Sequence, residues 1–407
     1  MRRGVCFYFA FLLGILLLVI FLMQGVFAGN GCNEFGIDCS VDFVDGCDIH
    51  ESVILDGSEY NFPNGVDICA DDVVLNCNGG VFKGIKSKES IGISVEGFSG
   101  IDIDNCNVMD YGQGILVKNS NNGKFSGNTI NMNELSGLYF ENSSYYLIEN
   151  NVMEYNENNF TYPPYEGFEN QAGLFLKNSH NNIIRNNRGK YNKYQSLVLM
   201  SSKNNTITFN DFSENGFYGI WALSSHLNVI VNNNLSRNTN SYYNIYGWHG
   251  RGILLKNSND NIMLNNEAMR SFYQGIRLFY SSRNLVYGNE FTHNGFGNIL
   301  INGGQKNKVV NNSANNCINT CIGISILDSN KNEIVGNNVS KSSLIGLSLY
   351  NSDYNLIREN EVFHVEESYY VFDRGDGIQL RQSDYNNITE NLVNFNHKQG
   401  IVIKENS

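Results

Sequence analysis

Residues Gly252–Ala268 read GILLKNSNDNIMLNNEA, and Gly323–Val339 read GISILDSNKNEIVGNNV. The pattern opens at Gly92, Gly114, Gly137, Gly173, Ser196, Gly219, Gly252, Gly275, Gly297, Gly323, Gly346, Gly377 and Gly400. That makes thirteen copies with a plain spacing of 22 or 23 residues, and wider gaps fall only at insertions. A unit this short cannot bury its own apolar face, so the copies must stack on one another.

Each copy has the same internal rhythm. With the first apolar residue as position zero, positions zero and two are apolar, as in Ile253 and Leu255 or Ile324 and Ile326. A period of two is a strand with one buried face. Position eight is Asn in nine consecutive copies, from Asn182 to Asn386. Position thirteen is Asn in eleven, from Asn128 to Asn391. A second short apolar stretch lies between them, and a third carries Val152, Phe212, Leu235, Phe291, Val339 or Val362. Three short strands per copy describe one coil of an all-β solenoid. Asn suits its corners because it tolerates left-handed backbone. Its amide can also donate to one rung and accept from the next. The opening Gly is expected to free the third corner. The L-x-x-L-x-L rhythm of leucine-rich repeats and any 3.6-residue period are missing. Thirteen rungs at strand spacing give a rod of roughly 60 Å.

Ahead of the repeat, Arg2 and Arg3 precede an apolar run from Val5 to Met23, closed by Val26-Phe27-Ala28. Residues 1–28 therefore read as a signal peptide, with an uncleaved N-terminal anchor as the alternative. Residues 29–72 read as a cap with the first strands, and 73–407 as the solenoid. Either reading of the leader puts the remainder outside the cytoplasm, secreted or at the cell surface. Removing the leader's two Arg takes the net charge from −12 to −14. No basic stripe offers itself to nucleic acid or to anionic lipid. Of nine Cys, eight lie beyond the leader, an even number suited to disulfides in an exported chain. The close pair Cys317 and Cys321, together with Cys47 and Cys69, are the disulfide candidates. Cys77 and Cys106 suit either a bridge or a stacked apolar column.

The consensus G-I-x-L-x-N-S-x-x-N-x-I-x-x-N, seen at Gly252, Gly346 and Gly377, resembles the right-handed parallel β-helix of the pectate-lyase-like superfamily. Within it, the chain is most similar to the NosD-type carbohydrate-binding and sugar-hydrolysis repeat proteins. The segment Cys47–Gly84, with its C-A-D-D-V-V-L-N-C-N-G turn and strand, resembles their opening rungs, so the likeness spans about residues 47–407. It is specific for fold and weak for function, because these repeats host enzymes and binding proteins alike. The NosD name carries a copper role. Here the seven His are scattered, and His180 and His226 are two rungs apart with Lys203 between. No metal site and no cofactor are expected, with Ca²⁺ relevant only to a lyase.

Insertions at Met153–Ala172, Arg237–Arg251 and Phe363–Asp376 enter at one corner, the place where solenoids commonly bind. They are rich in aromatic and charged residues. On the adjoining strand, position one should face water, yet it carries Leu116, Tyr139, Phe175, Val198, Trp221, Leu254, Arg277 and Leu300. Such a stripe calls for a cover: the chain's own loops, a partner, or sugar rings on aromatic faces. The ligand-binding candidates are Trp221, Tyr246, Trp248, His249, Arg251, Arg277, Phe279, Asp373 and Asp376. The expected role is a surface or polysaccharide-binding module. The alternatives are a polysaccharide lyase, hydrolase or epimerase, or a structural envelope protein. No complete acid/base constellation is visible, and Arg251 lies about five rungs from Asp376. Asn159 is the favoured glycosylation site. The last rung, with Ile401 and Ile403, would self-associate if nothing follows it.

Overall fold

The computed structural model describes residues 32, 37–156, 171–239, 250–366 and 375–404. Tyr246, Trp248, His249, Asp373 and Asn159 lie outside them. The described residues form an all-β, right-handed solenoid of about 14 turns with no helix. Every strand pairs in parallel with its counterpart one turn away. The first sheet has 15 strands, from Asp48–Ile49 to Ile401–Lys404, and the second has 14, from Val53–Ile54 to Asn387–Thr389. The third side is a four-stranded sheet at one end and a three-stranded sheet at the other. Single bridges through Val152, Arg188, Asp211, Asn234, Glu267, Glu290 and Ser313 join the two.

Positions zero and two fill the interior as the alternation requires: Ile253, Leu255, Ile276, Leu278, Ile324 and Ile326 are fully buried. The second sheet adds the column Ile207, Ile230, Met263, Val286 and Val309. On the third side the inward residue of the early rung is Met153, fully buried, while Val152 is half-buried. Val152 takes the bridged place in line with Arg188 and Asp211, so the inward place held by Phe212 two rungs on falls to Met153.

The Asn columns form unbroken ladders. From Asn128 to Asn391 each Nδ2 donates to the Oδ1 of the next rung at 2.9–3.0 Å. From Asn182 to Asn386 the same bonds are 3.0–3.2 Å. The sequence reading missed a third ladder through Asn133, Asn156, Asn192, Asn215 and Asn238, at 3.1–3.3 Å. All five occupy position eighteen, a fixed spacing that the insertions hid.

Two corner assignments change. The left-handed backbone falls on the residue before each ladder Asn, for example Leu227 (φ 60°), Asn232 (φ 54°) and Tyr354 (φ 56°). The ladder Asn is there for its amide alone. Apart from Gly297 (φ 158°), the opening glycines have no positive φ either. A Cβ on Gly323 would overlap Val339 and meet the Gly346 carbonyl oxygen at 2.7 Å. That position points into the core, where the third strand leaves no room. The exception explains itself: Ser196 interrupts the glycine column, and the residue facing it is Gly189, where a Cβ would overlap the Ser196 Oγ.

Four disulfides join Cys32–Cys69, Cys39–Cys47, Cys77–Cys106 and Cys317–Cys321. The third ties one rung to the next in the core.

Candidate functional site

The outward positions of the 15-stranded sheet differ along the rod. Near its start the position-one column reads Asp48, Asp67 and Ser94, and towards its end Ser325, Ser348 and Gln379. Short polar residues suit an outward face. The middle rungs carry a second apolar layer instead. Leu116, Tyr139, Phe175 and Val198 are buried, with the Tyr139 and Phe175 rings stacked 5.1 Å apart. Over these rungs the stripe is closed off from solvent. Only its later part stays half-exposed: Trp221, Arg277, Phe279 and Leu300.

Strand register sets the order of these side chains. Trp221 pairs with Leu254, Leu254 with Arg277, and Arg277 with Leu300. Trp221 therefore lies two rungs, or roughly 10 Å, from Arg277 along the rod. Its ring packs with Tyr218 at 5.9 Å, inside a cluster that includes Tyr194, Phe217 and Leu254. The guanidinium of Arg277 lies 4.5 Å from the centre of the Phe279 ring, and its Nη2 donates to Asn302 Oδ1 at 2.9 Å. Arg251, on the preceding rung, is almost completely buried; its Nε donates to Gln274 Oε1 at 2.6 Å. Its guanidinium lies 5.9 Å from the Tyr218 ring and 5.3 Å from Tyr273.

Burial lowers the pKa of both cations. Arg277 is pushed down to about 10, with repulsion from Arg251 as the second cause. Burial raises the Tyr218 phenol, partly offset by Arg251. Two buried donors of this region, Trp221 Nε1 and Arg277 Nε, have no hydrogen-bond partner. Tyr218, Tyr273, Gln274 and Asn302 were not singled out in the sequence. For the two tyrosines the available signal was an aromatic pair just before the opening Gly, Phe217-Tyr218 and Phe272-Tyr273.

Asp376 belongs elsewhere. Its strand lies five steps along the sheet from that of Arg251, and it is buried against Gln379 (3.0 Å) with Lys404 at 3.8 Å. A groove of about 360 Å³ opens between Arg270, Phe272, His293, Ile318 and Asn319, and neither Arg251 nor Arg277 lines it.

The donors of a copper site do not come together. Among the described residues no three His, Cys, Asp or Glu side chains converge. All eight Cys beyond the leader are in disulfides. The Nδ1 atoms of His180 and His226 already accept the Lys203 and Asn259 backbone N–H at 3.1 and 3.0 Å.

Stacked parallel rungs with inward aliphatic columns and amide ladders define a right-handed β-helix protein. Residues 44–168 and 73–236 match the family described as "Right handed beta helix region". Residues 155–322, 250–376 and 314–407 match "Periplasmic copper-binding protein (NosD)", more than half of the chain, and the protein belongs to that family. No curated protein matches the sequence. Among solved structures, it is similar to a mutant of the periplasmic alginate epimerase AlgG: 12% identity, TM-score 0.59, 85% of this chain and 84% of that one. It is also similar to the A-module of Azotobacter vinelandii mannuronan C-5 epimerase AlgE4, at 14% identity, TM-score 0.52, 84% and 91%. At such identities the likeness is one of fold.

Proposed function

We propose that this protein is an extracytoplasmic polysaccharide-binding rod. Its ligand lies along the outer face of the 15-stranded sheet at Trp221, Arg277 and Phe279. The observation that carries the reading is the composition of one column. Where the later rungs present Ser or Gln, the middle rungs present half-exposed aromatic and guanidinium groups, Trp221 and Arg277. Flat rings match the CH faces of pyranoses, and fixed polar groups then set orientation. The fold neighbours named as alginate and mannuronan epimerases support a polysaccharide as the ligand class, and the family's periplasmic description supports the location.

The test is co-sedimentation of the mature protein with acidic and neutral polysaccharides, with and without Ca²⁺. Binding that weakens in Trp221→Ala, while the melting temperature holds, supports the reading. No binding to any polymer refutes it. The epimerase likeness also makes turnover worth reading in the same tubes. Unsaturated products, new reducing ends or inverted C-5 centres in the polymer would make the protein an enzyme.

A further inference from the structure

We propose that Arg277 is an anion subsite that takes the carboxylate of an acidic polysaccharide, a uronan, with the Trp221 indole N–H contacting the same chain further along. This rests on the polysaccharide reading above and narrows it to one ligand class. The first argument is electrostatic. The chain carries a net charge of −12, yet this face holds two guanidiniums on adjacent rungs, close enough to repel each other. Three other arginines of the rod are matched: Arg185 to Glu149, Arg188 to Glu154 and Arg283 to Asp260, each at 2.7 Å. Arg277 has no carboxylate partner among the described residues; it is held by Asn302 and the Phe279 ring. A half-buried cation without an anion is costly, because desolvation is not offset by an ion pair.

The second argument is geometric. Arg283 grips Asp260 with Nε and Nη2, both at 2.7 Å, the side-on fork that matches a carboxylate. On Arg277 the same edge is half used. Asn302 fixes Nη2 and so sets the plane of the guanidinium, while Nε has no partner. An unpartnered buried donor is destabilising, because its lost hydration is not replaced. The Trp221 N–H is a second such donor two rungs away, roughly 10 Å by rung spacing. That span suits a polymer lying along the rod better than one small anion. Because Arg277 Nε is screened from water, the carboxylate reaches it by displacing the side chains packed over it.

The experiment uses the mature protein and titration calorimetry. The ligands are polymannuronate and polygalacturonate, their carboxyl-reduced neutral forms, and dextran sulfate. Tighter binding of the uronans, weakened at least ~10-fold in Arg277→Gln and in Arg277→Lys, is expected, because Lys keeps the charge but not the fork. Arg283→Gln, which removes an exposed ion pair, should change nothing. Trp221→Phe keeps the ring and loses only the N–H; it should weaken uronan binding several-fold and serves as the second probe if the Arg277 variants fail to fold. Equal affinity for uronans and their reduced forms, unaffected by Arg277, would overturn the subsite and leave the polysaccharide reading standing. Preference for dextran sulfate over both uronans would overturn the carboxylate assignment. Binding of no polymer would overturn both.

Discussion

The ladder Asn and the residue before it have different jobs, and glycine separates them. Asn233 is fully inside the ladder. Its Oδ1 accepts from the Asn210 backbone N and Nδ2, both at 2.9 Å, and its Nδ2 donates to Ile207 O, Val231 O and Asn266 Oδ1, each at 3.0 Å. Asn233→Gly leaves the buried Asn210 N–H without its acceptor and the Ile207 carbonyl without its amide donor. Each such orphan costs about 1–3 kcal/mol, so a loss of roughly 2–5 kcal/mol is expected. Asn232 carries the left-handed turn at φ 54°. Asn232→Gly should change stability by less than ~0.5 kcal/mol, whereas Asn232→Ala should cost about 1 kcal/mol because Ala keeps the Cβ but loses the short polar side chain that lets Asn tolerate left-handed backbone. Urea unfolding gives the global values. A rod of repeats can open in parts, so amide exchange at Asn210 is the sharper reading. Its protection should collapse in Asn233→Gly alone. A tolerated Asn233→Gly beside a damaging Asn232→Gly would refute this division of labour.

Gly189→Ala should destabilise by about 1–3 kcal/mol through overpacking against Ser196, and Ser196→Gly in the same chain should recover most of the loss, read as a double-mutant cycle by urea unfolding. Burial, with Asp48 and Glu96 close by, pushes the Asp67 carboxyl up to about 6 from 3.8. Between those values the folded chain keeps a proton that the unfolded chain has released, so this group makes stability fall as pH rises from about 4 to about 6 and then level off. Asp67→Asn should abolish that slope and raise stability at pH 7 by ~1–3 kcal/mol, measured as urea midpoints across the range.

Much of the rod was legible because burial and periodicity are the same fact in a solenoid. Ile253 and Leu255 had to face inward once position two repeated. The reasons behind Asn and Gly were harder to read. The sequence shows Asn233 and Asn232 as identical neighbours, and only the backbone reveals which one bends and which one bonds. The opening glycines suggested flexibility. Their cause is the side chain opposite, as the exchange between Ser196 and Gly189 shows. The site was legible in type and less so in extent. Trp221, Arg277 and Phe279 stood out as wrong residues for an outward position. Nothing in the pattern told them apart from Phe175 and Val198, because the repeat sets which way a side chain points and not what packs over it. Arg251 and Asp376 failed to meet for a reason the rung count already gave.

The amides of the long ladder all point one way. Asn128 donates to Asn151, and so on in the same sense to Asn391, and each Oδ1 is also held by a backbone N–H of the rung before, as Asn151 Oδ1 is by Asn128 N. Turning one amide over would set oxygen against oxygen on one side and nitrogen against nitrogen on the other. The column therefore has no cheap single error. Its direction is a collective property, like the polarity of a ferroelectric crystal, and its aligned dipoles give the rod two electrically distinct ends.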